Sequence, residues 1–376
     1  MKKEAKPSFL YGVSVGGDNF TDRVRETRRL KMNFENGLNV ILISPRRMGK
    51  TSLVKHVAQE VDKEIVQTVY MDIYDCRSEY DFYNKFAEAI MMQTGSKIEH
   101  TLDNIRQFLT RISPKLSINP DPSTEYSISL GITPKEYSPE EILSLPERMA
   151  NHIGKHIVVC IDEFQQVGEW PDSLLVQKRM RGVWQHHTHA SYCLFGSRQH
   201  MMNQLFQNKR MPFYQFGEPN YLQPIPTEDW IPFIQSKFEK KDLTISDTYV
   251  RQICDIVGNQ SSYVQQLSWD VMLNTEKTVD DEALEAGIND LLMQCTPLFM
   301  EQTGGLTSYQ LNLLRAIVDG QHTQWTSQEV LSKYGLGTKS NVAKMQKAML
   351  ERDFIVSTEQ GLFLADPVMK LWLQHR

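Results

Sequence analysis

The stretch LNVILISPRRMGKTSL, residues 38–53, decides the fold class. Leu38–Ile43 is a short, nearly continuous apolar run, which predicts a strand buried on both faces. The loop Ser44–Thr51 that follows fits the pattern G-x-x-x-x-G-K-[ST], except that Ser44 replaces the first Gly. A helix is predicted from the end of this loop to about Val61. A glycine-containing loop between a buried strand and a helix N-terminus is typical of a phosphate-binding loop.

The chemistry of such a loop assigns a role to each of its residues. Backbone N–H groups at the helix N-terminus point at one spot and hold a β-phosphate, and Gly49 lets the backbone approach it closely. Lys50 is expected to reach the β- and γ-oxygens, which makes it a catalytic residue as well, and the Thr51 hydroxyl is expected to ligate Mg²⁺. The candidate nucleotide-binding residues here are Ser44, Pro45, Arg46, Arg47, Met48, Gly49, Lys50, Thr51 and Ser52.

An acidic pair follows a second buried run. Ile157–Ile161 is apolar and is followed at once by Asp162 and Glu163. Mg²⁺ is a hard cation that keeps several of its waters, so few protein carboxylates bind it directly. We therefore expect Asp162 to hold Mg²⁺, directly or through a water, and Glu163 to orient and polarise an attacking water.

A third candidate group follows another buried run, Ser191–Phe195. Parallel sheets place ligand sites at the carboxyl ends of their strands. Ser197 and Arg198 come just after this run and are candidate catalytic sensors of a γ-phosphate. An ordinary surface arginine is the alternative for Arg198. Arg46 and Arg47 either add charge to the phosphate site or face solvent, and the sequence leaves both open.

Strand and helix patterns alternate up to about Tyr221, which predicts an α/β P-loop fold with a parallel sheet. The 376-residue chain suggests two or three domains. We expect an entry segment at 1–20, an ATPase domain at 21–220 with a hairpin insertion at about 113–132, a helical lid at 221–300 and a winged helix at 301–376. The winged helix is predicted from three helices followed by two short strands around Thr358–Gly361.

Composition limits the setting in which the chain works. The net charge is −5, so a surface for nucleic acid must be local. The five cysteines are scattered and form no C-x-x-C pair, which favours free thiols in a reducing cytoplasm. No apolar stretch has the length of a signal peptide or a membrane span, so we expect a cytoplasmic protein without a membrane partner.

The winged-helix segment leaves its partner open. Residues 305–376 carry eight Lys/Arg and six Asp/Glu, a small positive excess. Lys339, Lys344 and Lys347 lie on the third helix, where a DNA-reading helix makes its contacts. Two excess charges are few for DNA, so docking onto protein is the alternative.

Taken together, these segments resemble the archaeal-type ATPases of the STAND branch of the AAA+ superfamily. The resemblance covers nearly the whole chain. It rests on Phe20-Thr21-Asp22-Arg23, SPRRMGKTSL, VVCIDEFQ, WQHHTHASYCLFGSRQHMM and LADPVMKLWLQ.

The resemblance implies further site residues and a mode of action. It places Phe20 and Arg23 near an adenine and makes Arg198 the γ-phosphate sensor. It also implies a switch between ADP-bound and ATP-bound states, with a nucleotide-dependent oligomer as one outcome. Three departures are Ser44, Gln215 where the family often has Arg, and Ser261 where its lid has Pro.

The expected function is therefore a slow ATPase that hydrolyses ATP to ADP with Mg²⁺ and couples this to a conformational switch. The alternative is a nucleotide-regulated DNA-binding protein with little turnover. The ATPase function rests on Lys50, Thr51, Asp162 and Glu163. The DNA-binding function rests on the three lysines of the third helix in the winged-helix segment.

Overall fold

The structure is a computed structural model that describes residues 8–94 and 139–375. The hairpin insertion predicted at about 113–132 lies outside these residues. The chain divides into two compact units. One unit contains Arg23–Arg46 and Lys50–Leu222 and is called the sheet unit. The other, the helical unit, contains the segment up to Asp22, the loop tip Arg47–Gly49, and the chain from Gln223 onward.

A parallel sheet organises the sheet unit, as the sequence predicts, and it has five strands. The spatial order of its strands is β2-β3-β4-β1-β5. Strands β1 and β4 are buried along their whole length and β3 is buried from its second residue onward, which matches their continuous apolar sequences. The strands are β1 (Val40–Ile43), β2 (Val66–Asp72), β3 (His156–Asp162), β4 (Ala190–Gly196) and β5 (Glu218–Tyr221).

Strand β5 was not predicted from the sequence. Its four residues, EPNY, include no aliphatic side chain and one proline, and they alternate between partial and full exposure. A proline is tolerated here because β5 lies at the edge of the sheet and pairs only with β1. Pairing with a buried neighbour, not local propensity, makes this segment a strand.

Helices cover the sheet and connect its strands. They are α1 (Val24–Glu35), α2 (Lys50–Glu60), α3 (Glu79–Thr94), α4 (Pro139–Leu143), α5 (Leu145–Ile153), α6 (Ser173–Trp184) and α7 (Gln199–Gln207). A short 3-10 helix, Phe164–Gly168, follows β3. The core between sheet and helices is rich in aromatic rings, with Trp184 stacked on Tyr192 at a centroid distance of 4.1 Å. This packing fixes β3 and β4, whose carboxyl ends carry the candidate acidic and sensor residues.

The helical unit carries the remaining helices and a small antiparallel sheet. Its helices are α8 (Thr227–Glu239), α9 (Asp247–Ile256), α10 (Ser261–Leu273), α11 (Asp281–Gly304), α12 (Ser308–Val318), α13 (Gln328–Tyr334), α14 (Lys339–Glu351) and α15 (Pro367–Gln374). Strands β6 (Ile355–Thr358) and β7 (Gly361–Leu364) form the predicted two-stranded wing.

The last helix, α15, was not predicted. Its N-terminus follows from Asp366-Pro367, because Asp366 Oδ1 accepts hydrogen bonds from the N–H groups of Val368 and Met369. Pro367 occupies the first turn, where a missing N–H costs nothing. The apolar residues that follow then pack into the core of the unit, including Trp372 against Phe299.

Candidate functional site

The candidate loop Ser44–Thr51 adopts the conformation that its sequence requires. Gly49 has a φ of +84°, a value that L side chains rarely adopt, so glycine is needed there. Ser44 is fully buried and does not have a positive φ, so its replacement of the usual glycine introduces no backbone strain. Arg47, at the loop tip, has a φ of +66° and is a strained non-glycine position.

Lys50 begins α2 and folds back over the loop. Its Nζ donates to the carbonyl oxygens of Ser44, at 3.2 Å, and Pro45, at 3.0 Å. The side chain is only 6% exposed. Burial lowers the pKa of Lys50 to about 8, although the nearby charges of Glu163 and Asp162 act in the opposite direction. Lys50 is therefore a buried amine that, among the residues the structure describes, donates its hydrogen bonds to neutral carbonyl oxygens.

Asp162 ends β3 and meets the loop residue Thr51. The Thr51 hydroxyl donates to Asp162 Oδ2 at 2.6 Å, and the hydroxyl of Tyr70 donates to the same oxygen at 3.0 Å. Asp162 Oδ1 accepts from the N–H of Glu163. Burial raises the pKa of Asp162, and the neighbouring Glu163 raises it further. A cation bound here would offset the cost of this buried negative charge.

Thr51 and Asp162 fit the coordination that Mg²⁺ prefers. The hydroxyl and carboxylate oxygens lie within hydrogen-bonding distance of each other, so one small ion can contact both. Mg²⁺ keeps several waters and needs only one or two protein ligands besides phosphate oxygens. Within 8–94 and 139–375, no group of three or more His, Cys, Asp and Glu side chains forms a metal site.

Glu163 lies directly after β3 in a left-handed conformation, with φ of +54°. Its Oε2 accepts from the Ser197 hydroxyl at 3.0 Å and from the side-chain amide of Gln165. Ser197 follows β4, the neighbour of β3 in the sheet. The structure thus brings together two candidate residues that the sequence placed after different strands.

Arg198 has other partners in this structure. Its Nη1 donates to the carboxylate of Glu169 and lies 3.3 Å from the sulfur of Met201. Arg198 immediately precedes α7 and its side chain is partly exposed. The sensor role predicted for Arg198 therefore requires exchange of Glu169 for a phosphate.

Arg47 contacts the helical unit, to which the loop tip belongs. Its Nη1 donates to Asp366 Oδ2 at 2.7 Å, and its guanidinium lies 4.4 Å from the centroid of the Tyr263 ring. The Tyr263 hydroxyl also donates to Asp366 Oδ2, at 2.9 Å. Arg46, in contrast, is exposed. Arg46 and Arg47, for which the sequence analysis left the same two alternatives open, therefore have different surroundings in the structure.

The remaining predicted nucleotide-binding residues have local roles in the structure. Phe20 follows a 3-10 helix, Gly17–Asn19, in the helical unit. Arg23 is 3% exposed at the start of α1 in the sheet unit, where its Nη1 donates to Glu26 at 3.1 Å. Met48 and Ser52 are buried. The adenine contact expected of Phe20 and Arg23 stays a prediction.

Comparison with known proteins identifies the fold. A family model described as a probable winged helix domain matches residues 297–375. A Walker-type ATPase of Pyrococcus abyssi is similar over 95% of this chain and 97% of its own, with 16% identity and a TM-score of 0.71. The Orc2 protein of Aeropyrum pernix, solved as ADPNP–ADP complexes, is similar over 94% and 95% of the two chains, with 13% identity and a TM-score of 0.57. No curated protein matches the chain.

The chain shares the fold of these two proteins and has a C-terminal winged helix. The predicted fold class is thereby confirmed, and the resemblance to archaeal ATPases agrees with the two neighbours. At these identities the similarity establishes the fold alone. None of the helices in the described ranges is long and apolar enough to cross a membrane.

The winged helix presents lysines on α14. Lys339, Lys344 and Lys347 are exposed, and Lys347 lies 3.8 Å from Glu351 in the next turn. The helix begins at Thr338, whose hydroxyl accepts from the N–H of Asn341. An exposed lysine face on this helix is compatible with phosphate contacts.

Sequence reasoning missed several residues around the site. Tyr70 and Gln165 contact the acidic pair, and Asp366 and Tyr263 contact Arg47. Only Asp366 had a local signal, since Asp-Pro before an apolar run is typical of a helix start. The other contacts join residues from different elements, so no local sequence pattern predicts them.

Proposed function

We propose that this protein binds ATP with Mg²⁺, hydrolyses it to ADP and uses the reaction to switch conformation. The observation that carries the proposal is the meeting of three strand ends at one edge of the parallel sheet. Lys50 follows β1 through the loop, Asp162 ends β3, and Ser197 follows β4. A cation, a paired hydroxyl and carboxylate, and an oriented carboxylate are the parts that phosphoryl transfer requires.

Hydrolysis assigns a separate task to each side chain. The oxygen of a water attacks the γ-phosphorus, and the bond from that phosphorus to the β–γ bridging oxygen breaks. Glu163 orients the water and accepts its proton. Lys50 leaves the carbonyls of Ser44 and Pro45 to neutralise charge on the β- and γ-oxygens. Mg²⁺, held by Thr51 and Asp162, would neutralise charge on the phosphates.

Ser197 and Arg198 are the residues that would register the γ-phosphate. Both follow β4, and each is held by a carboxylate, Glu163 for the serine and Glu169 for the arginine. A γ-phosphate carries more negative charge than either carboxylate and would draw both side chains to itself. Loss of the γ-phosphate after hydrolysis would return Ser197 and Arg198 to their carboxylate partners. The two side chains would then have different partners in the ATP-bound and ADP-bound states, which is the basis of a switch.

The resemblance of the sequence motifs to those of archaeal-type STAND ATPases supports the same proposal. A member of the archaeal-type branch of STAND ATPases would combine slow turnover with a nucleotide-dependent change in assembly. Gln215 is exposed and cannot supply the cation of an arginine. A partner would have to provide that charge if turnover is fast only in an assembly.

Steady-state ATP hydrolysis with Mg²⁺ tests the proposal. Wild type should turn over, whereas Glu163→Gln should bind ATP and lose about 10² to 10⁴-fold in kcat, because the amide cannot accept the proton. Glu60→Gln, at the exposed end of α2, is the matched control and should behave as wild type. Equal turnover by wild type and Glu163→Gln would contradict the proposed role.

The second candidate function, regulated DNA binding, is favoured by the exposed lysines of α14. Replacing Lys339, Lys344 and Lys347 by Glu should abolish duplex binding and reduce its salt dependence. A matched control replaces Lys240, Lys241 and Lys277, which are exposed outside the winged helix. Equal binding by the two triple variants would exclude α14 as a DNA-contacting helix.

A further inference from the structure

Gln165 is a buried polar residue beside the candidate catalytic carboxylate. It lies in the 3-10 helix Phe164–Gly168 and is 1% exposed. Its Nε2 donates to Glu163 Oε2, the same oxygen that accepts from the Ser197 hydroxyl at 3.0 Å. Both donors go to Oε2, so that, within the part of the chain that the structure describes, Oε1 keeps its lone pairs for another partner.

Gly196, the last residue of β4, makes room for this amide. A Cβ built at Gly196 would lie 1.9 Å from Gln165 Oε1, far inside van der Waals contact. It would also lie 3.0 Å from the sulfur of Met202. Gly196 does not have a positive φ, so the need for glycine here is space and not backbone conformation. The end of β4 is thus shaped to accept the Gln165 side chain.

The orientation of the Gln165 amide leaves an acceptor unsatisfied. A carboxylate only accepts hydrogen bonds, so the amide must turn its NH₂ group toward Glu163. Oε1 then points at Gly196 and is buried without a hydrogen-bond partner in the described structure. A buried polar atom of this kind lowers stability compared with an apolar side chain of the same size. A contribution to stability therefore does not explain why residue 165 is a glutamine. A functional role in its contact with Glu163 does explain it.

We propose that Gln165 is a positioning residue that holds the Glu163 carboxylate in place for hydrolysis. The inference rests on the proposed ATPase function. When Ser197 turns to the γ-phosphate, Gln165 remains as the donor to Oε2. Oε1 then faces the attacking water and accepts its proton. The left-handed backbone of Glu163 and the turn that carries Gln165 belong to one short segment, which sets the two side chains relative to each other.

The first test separates positioning from a structural role. Gln165→Leu keeps the size of the side chain and removes its donor. We expect kcat to fall about 10²-fold, because misplacement of a catalytic group by about 1 Å has that effect. KM and the Kd of ATP should change less than about twofold. The unfolding temperature should stay equal or rise, since the unsatisfied Oε1 is removed. A residue needed only for structure would lower the unfolding temperature instead.

Gln166→Leu is the matched control. It is the next residue of the same 3-10 helix and is partly exposed. It should retain wild-type kcat. Gly196→Ala is an independent variant that displaces the Gln165 amide without altering Gln165 or Glu163, and it should lower kcat in the same way. If Gln165→Leu fails to fold, Gly196→Ala still decides the question.

A double variant tests whether Gln165 acts through Glu163. In the Glu163→Gln background, adding Gln165→Leu should lower kcat by less than about twofold, because no carboxylate remains to be positioned. A further 10²-fold loss there would overturn the inference. Unchanged kcat in Gln165→Leu, beside an active wild type, would overturn it as well and leave the ATPase function standing. If wild type itself does not hydrolyse ATP, the proposed function fails and this inference fails with it.

Discussion

Arg47 donates a hydrogen bond to Asp366 Oδ2 at 2.7 Å, so the tip of the candidate phosphate loop is bound to the residue that begins the last helix. Asp366 uses its two oxygens separately. Oδ1 caps α15, and Oδ2 accepts from Arg47 and from the Tyr263 hydroxyl. The Asp366 carboxylate occupies Nη1 of Arg47 and offsets its positive charge, so Arg47 attracts a phosphate less strongly while it is bound in this way. Nucleotide binding and the Arg47–Asp366 pair should therefore compete.

Asp366→Asn tests this competition. The asparagine keeps an oxygen to cap α15 but removes the charge that holds Arg47. We expect ATP to bind about fivefold more tightly, because a partly exposed charge-assisted hydrogen bond contributes about 1 kcal/mol. The measurement is the Kd of ATP by fluorescence titration.

Arg47→Met is the counterpart of that variant. It removes the same pair together with the cation, so ATP should bind more weakly than to wild type. Asp353→Asn serves as the control because it lies outside the loop tip and the α15 cap. If Asp366→Asn weakens ATP binding as much as Arg47→Met, the pair supports the binding site and does not compete with it.

The affinity for ATP should depend on pH through Lys50. Burial lowers the pKa of Lys50 from its usual 10.5 to about 8. Above that pH the free protein carries a neutral amine, and ATP must then bind together with a proton. The Kd of ATP should therefore rise as pH rises through about 8, by up to about tenfold per pH unit.

Lys50→Arg is the matched control for this effect. A guanidinium stays charged across the whole range, so the variant should bind more weakly but with a Kd that is flat between about pH 7 and about pH 9.5. A wild-type Kd that does not change over the same range would show that Lys50 does not bind the phosphates as a cation.

Asp270, in the helical unit, should oppose folding at neutral pH. It is 1% exposed, its Oδ2 has no hydrogen-bond partner among residues 8–94 and 139–375, and burial raises its pKa to about 6. Between the usual 3.8 and about 6 the folded state binds more protons than the unfolded state. The free energy of unfolding therefore falls as pH rises through this window and stays lower above it.

Asp270→Asn removes that charge. We expect the variant to be more stable than wild type by up to about 3 kcal/mol at about pH 7.5, and nearly equal to it at about pH 4. Urea unfolding at the two pH values measures this. Asp255→Asn, an exposed aspartate on α9, should show neither effect. Lower stability of Asp270→Asn at about pH 7.5 would contradict the account.

The sequence predicted those features whose cause is local. The loop Ser44–Thr51 and the acidic pair after β3 each join a buried apolar run to polar residues, and both positions match the structure. The tolerance of Ser44 also follows from local backbone geometry. The wing was predicted because its two short strands lie on either side of the turn Glu359–Gln360, which Gly361 follows.

Features that depend on neighbours were missed. β5 is a strand because it pairs with β1, and its sequence EPNY contains no strand pattern. Gln165 matters because the end of β4 lacks a side chain at Gly196, a relationship between two separate segments. Tyr70 reaches Asp162 only because β2 and β3 are adjacent. Contacts of this kind require the register of the sheet.

The most direct test of the central claim is a calorimetric titration of wild type and Lys50→Met with ATP in the presence of Mg²⁺. Methionine is an unbranched apolar side chain one atom shorter than lysine and suits the buried position, so the variant should fold at least as well as wild type. Lys63→Met, in an exposed turn, controls for the loss of one charge. The account predicts saturable binding of one ATP to wild type and to Lys63→Met, and no measurable binding to Lys50→Met. Equal affinity of all three proteins for ATP would contradict the assignment of Ser44–Thr51 as the nucleotide site.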